Sequence, residues 1–87
     1  MSALPNTSEF ALAVEHLSKY AALSFMDFVA ESKATADLDL LDAALRWLVK
    51  HGHARYDTAD GVYNPEPSLQ SIRDRLPNAN VIPLLKS

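Results

Sequence analysis

Cysteine is missing from all 87 residues, and with it go disulfides, thiolate nucleophiles and every cysteine-containing zinc site. A chain without disulfides suits a reducing compartment, so a cytoplasmic location is expected. Glycine occurs only twice, at Gly52 and Gly61, which leaves no glycine-rich run to cradle a phosphate. Serines are plentiful, but none lies in a nucleophile-elbow pattern. No run of about 18 uncharged apolar residues is present, and the amino terminus lacks the basic-then-apolar order of a signal peptide. Neither membrane insertion nor secretion is expected, and Asn6-Thr7-Ser8, formally a glycosylation acceptor, carries no weight. Basic residues are the minority, 8 against 11 acidic ones, for a net charge of −3. Binding to nucleic acid by phosphate neutralisation usually calls for a basic chain.

Metal chemistry is equally thin. His51 and His53 are two residues apart, too close to share a helix face, and His16 has no companion in sequence. No metal site and no cofactor is expected. Asp37, Asp39 and Asp42 resemble a carboxylate cluster, yet an acidic first turn has a plain structural reason in the helix dipole. A chain this short with no cofactor motif is not expected to be an enzyme, and no catalytic residue is assigned.

What is present is an alternation of helical and turn signals within a length that suits one domain, residues 1–87. About half the residues are apolar, enough for a folded core. Asn6, with Glu9 three residues later, predicts a reciprocal cap for a first helix beginning near Thr7. Its apolar series is Phe10, Val14, Leu17 and Ala21. Phe25, Phe28 and Val29 continue at helical spacing and predict a second helix over Ser24–Ser32. With no glycine or proline between the two, one helix over Thr7–Ser32 is the alternative.

Thr35 is a candidate cap for a third helix with Asp37 and Asp39 in its first turn and Gly52 just past its end. Leu38, Leu41, Leu45, Leu48 and Val49 share one arc and predict its core face. His53–Asp57 and Val62–Asn64 flank Asp60-Gly61, the signal of a β-hairpin whose turn needs positive φ. Pro65 and Pro67 end the second strand, and Ser68 can cap a short helix burying Leu69, Ile72 and Leu76. The apolar tail Val81–Leu85 is expected to dock. The fold class is thus mainly α with a small β-hairpin, an α+β arrangement of a core over residues 7–64 and a carboxy-terminal helix and tail over residues 65–87.

The segment Leu41-Asp-Ala-Ala-Leu-Arg-Trp-Leu-Val-Lys-His-Gly52, followed by Ala54-Arg55-Tyr56 and Gly61-Val62-Tyr63, resembles the winged helix-turn-helix family over roughly residues 8–64. The likeness lies in the order of a helix, a short helix, a longer helix ending in glycine, and a hairpin. It implies a three-helix core, a wing and a short carboxy-terminal helix. In that family the third helix often enters the DNA major groove and the wing meets the backbone. Many members instead serve as protein-binding or dimerisation modules, including those in methyltransferases and chromosome-organising complexes.

Charge favours the second branch. Opposite the leucine arc lie Asp39, Ala43, Arg46 and Lys50, with Asp42 nearer the core edge, so phosphate would meet carboxylates. An apolar edge of Leu40, Ala44, Trp47 and His51 runs along the same helix, and a tryptophan flanked by cations has the character of a binding hot spot. The chain is expected to be a non-catalytic regulatory module that binds a protein partner or a second copy of itself through Leu40, Ala43, Arg46, Trp47 and Lys50. No membrane or small-molecule substrate is expected. The alternative is a sequence-specific DNA-binding transcription regulator with Arg46, Lys50 and Arg55 on the phosphate backbone.

Overall fold

A computed structural model describes residues 4–76. Its elements, in chain order, are α1 (Ser8–Lys19), α2 (Phe25–Glu31), α3 (Leu38–Lys50), β1 (Ala54–Asp57), β2 (Val62–Pro65) and α4 (Leu69–Arg75). The fold is α+β, and its order and hairpin are topologically compatible with a winged helix. The expected docking of Val81–Leu85 falls outside the described residues.

Helix α1 begins on Thr7 rather than Asn6: the Thr7 hydroxyl accepts a hydrogen bond from the Phe10 amide at 3.0 Å. Glu9, read from sequence as the reciprocal cap, reaches elsewhere. Its carboxylate, only 8% exposed, accepts from the Asp37 amide at 2.8 Å. One buried acid thereby joins the start of α1 to the start of α3.

The helix stops at Lys19, so the continuous Thr7–Ser32 alternative does not hold, and Ala21 lies exposed beyond the helix rather than on its core face. No glycine or proline makes the break. Ala22 takes a left-handed φ of 59° while its amide donates to the Asn64 side chain at 3.0 Å. Leu23 then pairs with Tyr63 by two backbone bonds, of 3.0 and 2.7 Å. Immediately afterwards Ser24 and Asp27 form a capping box that starts α2 afresh. Tertiary pairing and a strong local cap together outweigh a helical pattern that runs straight through.

Past α2 the chain turns through Lys33 and Ala34, both left-handed, with φ of 56° and 65°. Thr35 does not cap α3; its hydroxyl donates back to the Ser32 carbonyl at 2.6 Å. Asp37 is the cap, its carboxylate accepting from Asp39 and Leu40 amides at 2.9 and 3.1 Å. The core face of α3 is Leu41, Ala44, Leu45 and Leu48. Of the two others expected with them, Val49 packs against the edge of this core and Leu38 lies outside it. Leu38 occupies the side of Leu45 but two turns nearer the amino terminus, where it is 53% exposed, and Val49 is half-buried on the hairpin side. The helix closes as the sequence predicts: Gly52 has φ 79°, its amide donates to Val49, and the His53 amide donates to Leu48.

In the hairpin Ala54 pairs with Pro65, Arg55 with Asn64, Tyr56 with Tyr63 and Asp57 with Val62. Gly61 alone supplies positive φ, at 68°; Asp60 does not. The Asp57 carboxylate accepts from the Ala59 amide at 2.9 Å, and the Gly61 amide donates to the Asp57 carbonyl at 2.7 Å. Pro65 is the last residue of β2 rather than the first beyond it, a place where its missing N–H is tolerated.

Leu69, Ile72 and Leu76 are buried as expected, and Arg73 on α4 pairs with Glu15 of α1 at 3.3 Å. Ser68 precedes α4 without capping it through its side chain. Its hydroxyl donates to the Gly52 carbonyl at 3.2 Å and meets His53 Nδ1 at 2.8 Å. The end of α3 claims it first. Phe10, Ala13, Val14 and Leu17 of α1 meet Phe28, the α3 leucines and the apolar residues of α4 in one core.

Candidate functional site: the outer face of α3 and the hairpin

With Leu41, Leu45 and Leu48 committed to the core, α3 turns Asp39, Leu40, Ala43, Arg46 and Lys50 outward, all exposed. The Leu23–Tyr63 bridge and the His53–Ser68 contact hold the hairpin beside this face. Between them lies an open groove of about 650 Å³, lined by Asp42, Arg46, Val49, Lys50, Tyr56 and Tyr63. The two tyrosines are cross-strand partners with ring centroids 4.8 Å apart. Tyr63 also meets Phe28 edge-on at 6.1 Å, whereas Tyr56 is 43% exposed. Burial, and then the negative charge of Asp42, raise the pKa of the Tyr63 hydroxyl.

Arg46 lies against Asp42 one turn earlier, Nε to carboxylate at 2.7 Å, and this bond further raises its already high pKa. Arg55 meets Glu66 at 3.1 Å. Lys50 makes no ion pair among the described residues. The three cations assigned to the DNA backbone thus carry two carboxylates of their own chain.

The residues assigned to partner binding divide between two flanks. Arg46 and Lys50 line the groove. Leu40, 42% exposed, and Trp47 lie toward the other side. Trp47 is half-buried, its ring meeting the buried Phe10 edge-on at 5.3 Å and lying 4.2 Å from His51 and 5.8 Å from His53. It is neither fully covered nor a free-standing anchor.

The groove residues that the sequence does not assign to the site are Asp42, Val49, Tyr56 and Tyr63. The signal for the two tyrosines is the distance from Asp57 to Val62. Once these two pair, Tyr56 and Tyr63 must pair one step further out and share a face. Among the described residues no group of three or more potential metal ligands occurs, and no helix is long and apolar enough to cross a membrane. Comparison of the chain with protein-family models, with curated proteins and with solved structures finds no significant match.

Proposed function

We propose that the chain is a non-catalytic winged-helix module that regulates by binding a protein through the outer face of α3 and the adjoining hairpin. The observation that carries this reading is the internal neutralisation of two of the three cations that a DNA reader would use, Lys50 being the third. A winged helix that reads DNA needs Arg46 and Arg55 for phosphate, and here each is held by a carboxylate, Asp42 and Glu66. What remains available is Leu40, Tyr56 and an aromatic-walled groove, the kind of surface on which protein hot spots form. The wing assignment draws support from the Leu23–Tyr63 bridge, which ties the hairpin to the junction of α1 and α2 so that it stands beside α3.

The rival, a sequence-specific DNA-binding regulator, draws on the same topology and on Lys50. Fluorescence anisotropy against a random duplex pool at low salt separates them. The protein-binding reading expects no association. Salt-sensitive binding that weakens in Arg46→Ala and Arg55→Ala would replace it with the DNA reading.

A further inference from the structure

We infer that the partner of the α3 face is a second copy of this chain, seated antiparallel across α3 about a two-fold axis. The inference rests on the protein-binding reading above and goes beyond it by naming the occupant. Its basis is the order of residues along the exposed side of the helix. The acid Asp39 stands near its amino-terminal end and the base Lys50 at its carboxy-terminal end, both exposed, while Asp42 and Arg46 between them pair with each other.

Reversing one copy against another places unlike charges opposite each other at both ends. An isologous interface requires this property, because one patch must complement itself. Parallel pairing would set acid against acid and base against base. Antiparallel pairing also sets the two helix dipoles head to tail.

The register follows from the helical rise. With the axis passing level with Ala44, Asp39 stands about 7.5 Å to one side of it and Lys50 about 9 Å to the other, close enough to pair across the two-fold. Leu40, about 6 Å away, and Trp47, about 4.5 Å away, pair by the same operation. The first two residues lie on one flank of the exposed face and the second two on the other, and a two-fold axis keeps each flank against its own kind.

Ala43, exposed and nearest the axis on that face, is small enough for the backbones to approach. Each dimer would thus contain two Asp39–Lys50 pairs and two Leu40–Trp47 contacts around a small-residue crossing. Lys50 is also the α3 cation without an ion pair among the described residues. A single helix pair buries less than the roughly 1,200 Å² of a standard stable interface, so the dimer is concentration-dependent and salt-sensitive.

Sedimentation equilibrium of the full chain, from micromolar to millimolar concentration at low salt, tests this. The expected result is reversible dimerisation weakened by added salt. Because symmetry doubles every substitution, Lys50→Glu alone or Asp39→Lys alone should weaken it about tenfold. An equimolar mixture of the two variants should restore it as a heterodimer. Ala43→Arg, at an exposed position, should abolish the dimer while leaving circular dichroism unchanged.

A wild-type chain that stays monomeric throughout, single variants that dimerise as the wild type does, or a mixture that restores nothing would each overturn the inference. A monomer that also ignores DNA would leave the protein-binding reading standing. Salt-sensitive DNA binding would remove both.

Discussion

Replacing Glu9 by alanine removes a side chain that ties the start of α1 to the start of α3. The carboxylate is 8% exposed and accepts from the Asp37 amide at 2.8 Å. Its loss leaves that amide without this partner, at a cost of about 1.5–3 kcal/mol for a hydrogen bond to a charged group. Glu9 also lies in the first turn of α1, where a negative charge contributes roughly 0.3–1 kcal/mol. Some water will reach the site once the side chain is gone, so the lower half applies, about 2 kcal/mol.

For a chain of 60–100 residues, 1 kcal/mol moves the melting midpoint by roughly 4–8 °C. Glu9→Ala should therefore lower Tm by about 8–16 °C in circular dichroism melts. Glu9→Gln keeps an acceptor oxygen and should lose about half as much. The Asn6 cap inferred from sequence would give another pattern, with Asn6→Ala the costly change. A loss below about 0.5 kcal/mol for Glu9→Ala, within the range of ordinary surface substitutions, would refute the bridging role.

Three further outcomes follow from the same geometry. Ala34 has φ 65° in the turn before α3, where a side chain costs about 1 kcal/mol, so Ala34→Gly should be neutral or stabilise by up to roughly 1 kcal/mol; a destabilised urea midpoint would count against the left-handed turn. Burial, and then the nearby His51 and Arg75, lower the pKa of His53 below 6.5. The unfolded chain therefore binds this proton more readily, and this part of the stability is intact above pH 6.5 and declines as pH falls toward the folded-state pKa. An NMR titration placing the His53 midpoint at or above 6.5 would contradict it. Thr7→Ala should cost about 1 kcal/mol through loss of the α1 cap, more than Thr35→Ala, whose hydroxyl caps no helix amino terminus and only donates to the Ser32 carbonyl; a larger effect of Thr35→Ala in thermal melts would reverse the cap assignment.

Most of the fold could be read from residues whose signals are local. Gly52 after Lys50 and His51 marked the end of α3, and Leu69, Ile72 and Leu76 marked the buried side of α4, because each pattern acts within a turn or two. The caps were misplaced by one or two positions where neighbouring residues each carry a suitable oxygen. Asn6 and Thr7 compete, as do Thr35 and Asp37, and the choice rests on where α1 and α3 meet through Glu9. The Leu23 bridge was invisible because one residue has no period, although it ends α1 and fixes the hairpin.

The same distinction governs the candidate site. The outward positions of α3 follow from helical spacing, and Leu40, Ala43, Arg46 and Lys50 are all exposed. Tyr56 and Tyr63 come together only through the hairpin register, and the pairing of Arg55 with Glu66 depends on where β2 ends. Trp47 holds an intermediate place because the T-shaped contact with Phe10 depends on the packing of α1 against α3.

The central claim is that the α3 and hairpin face meets protein rather than nucleic acid. A photo-crosslinking amino acid placed at Tyr56, with Gln70 on the outside of α4 as the control position, tests it in the cell. Adducts from position 56 that protease destroys and nuclease leaves intact, and that are absent from position 70, are the expected result. Nuclease-sensitive adducts at position 56 would contradict it, as would adducts equally abundant at both positions.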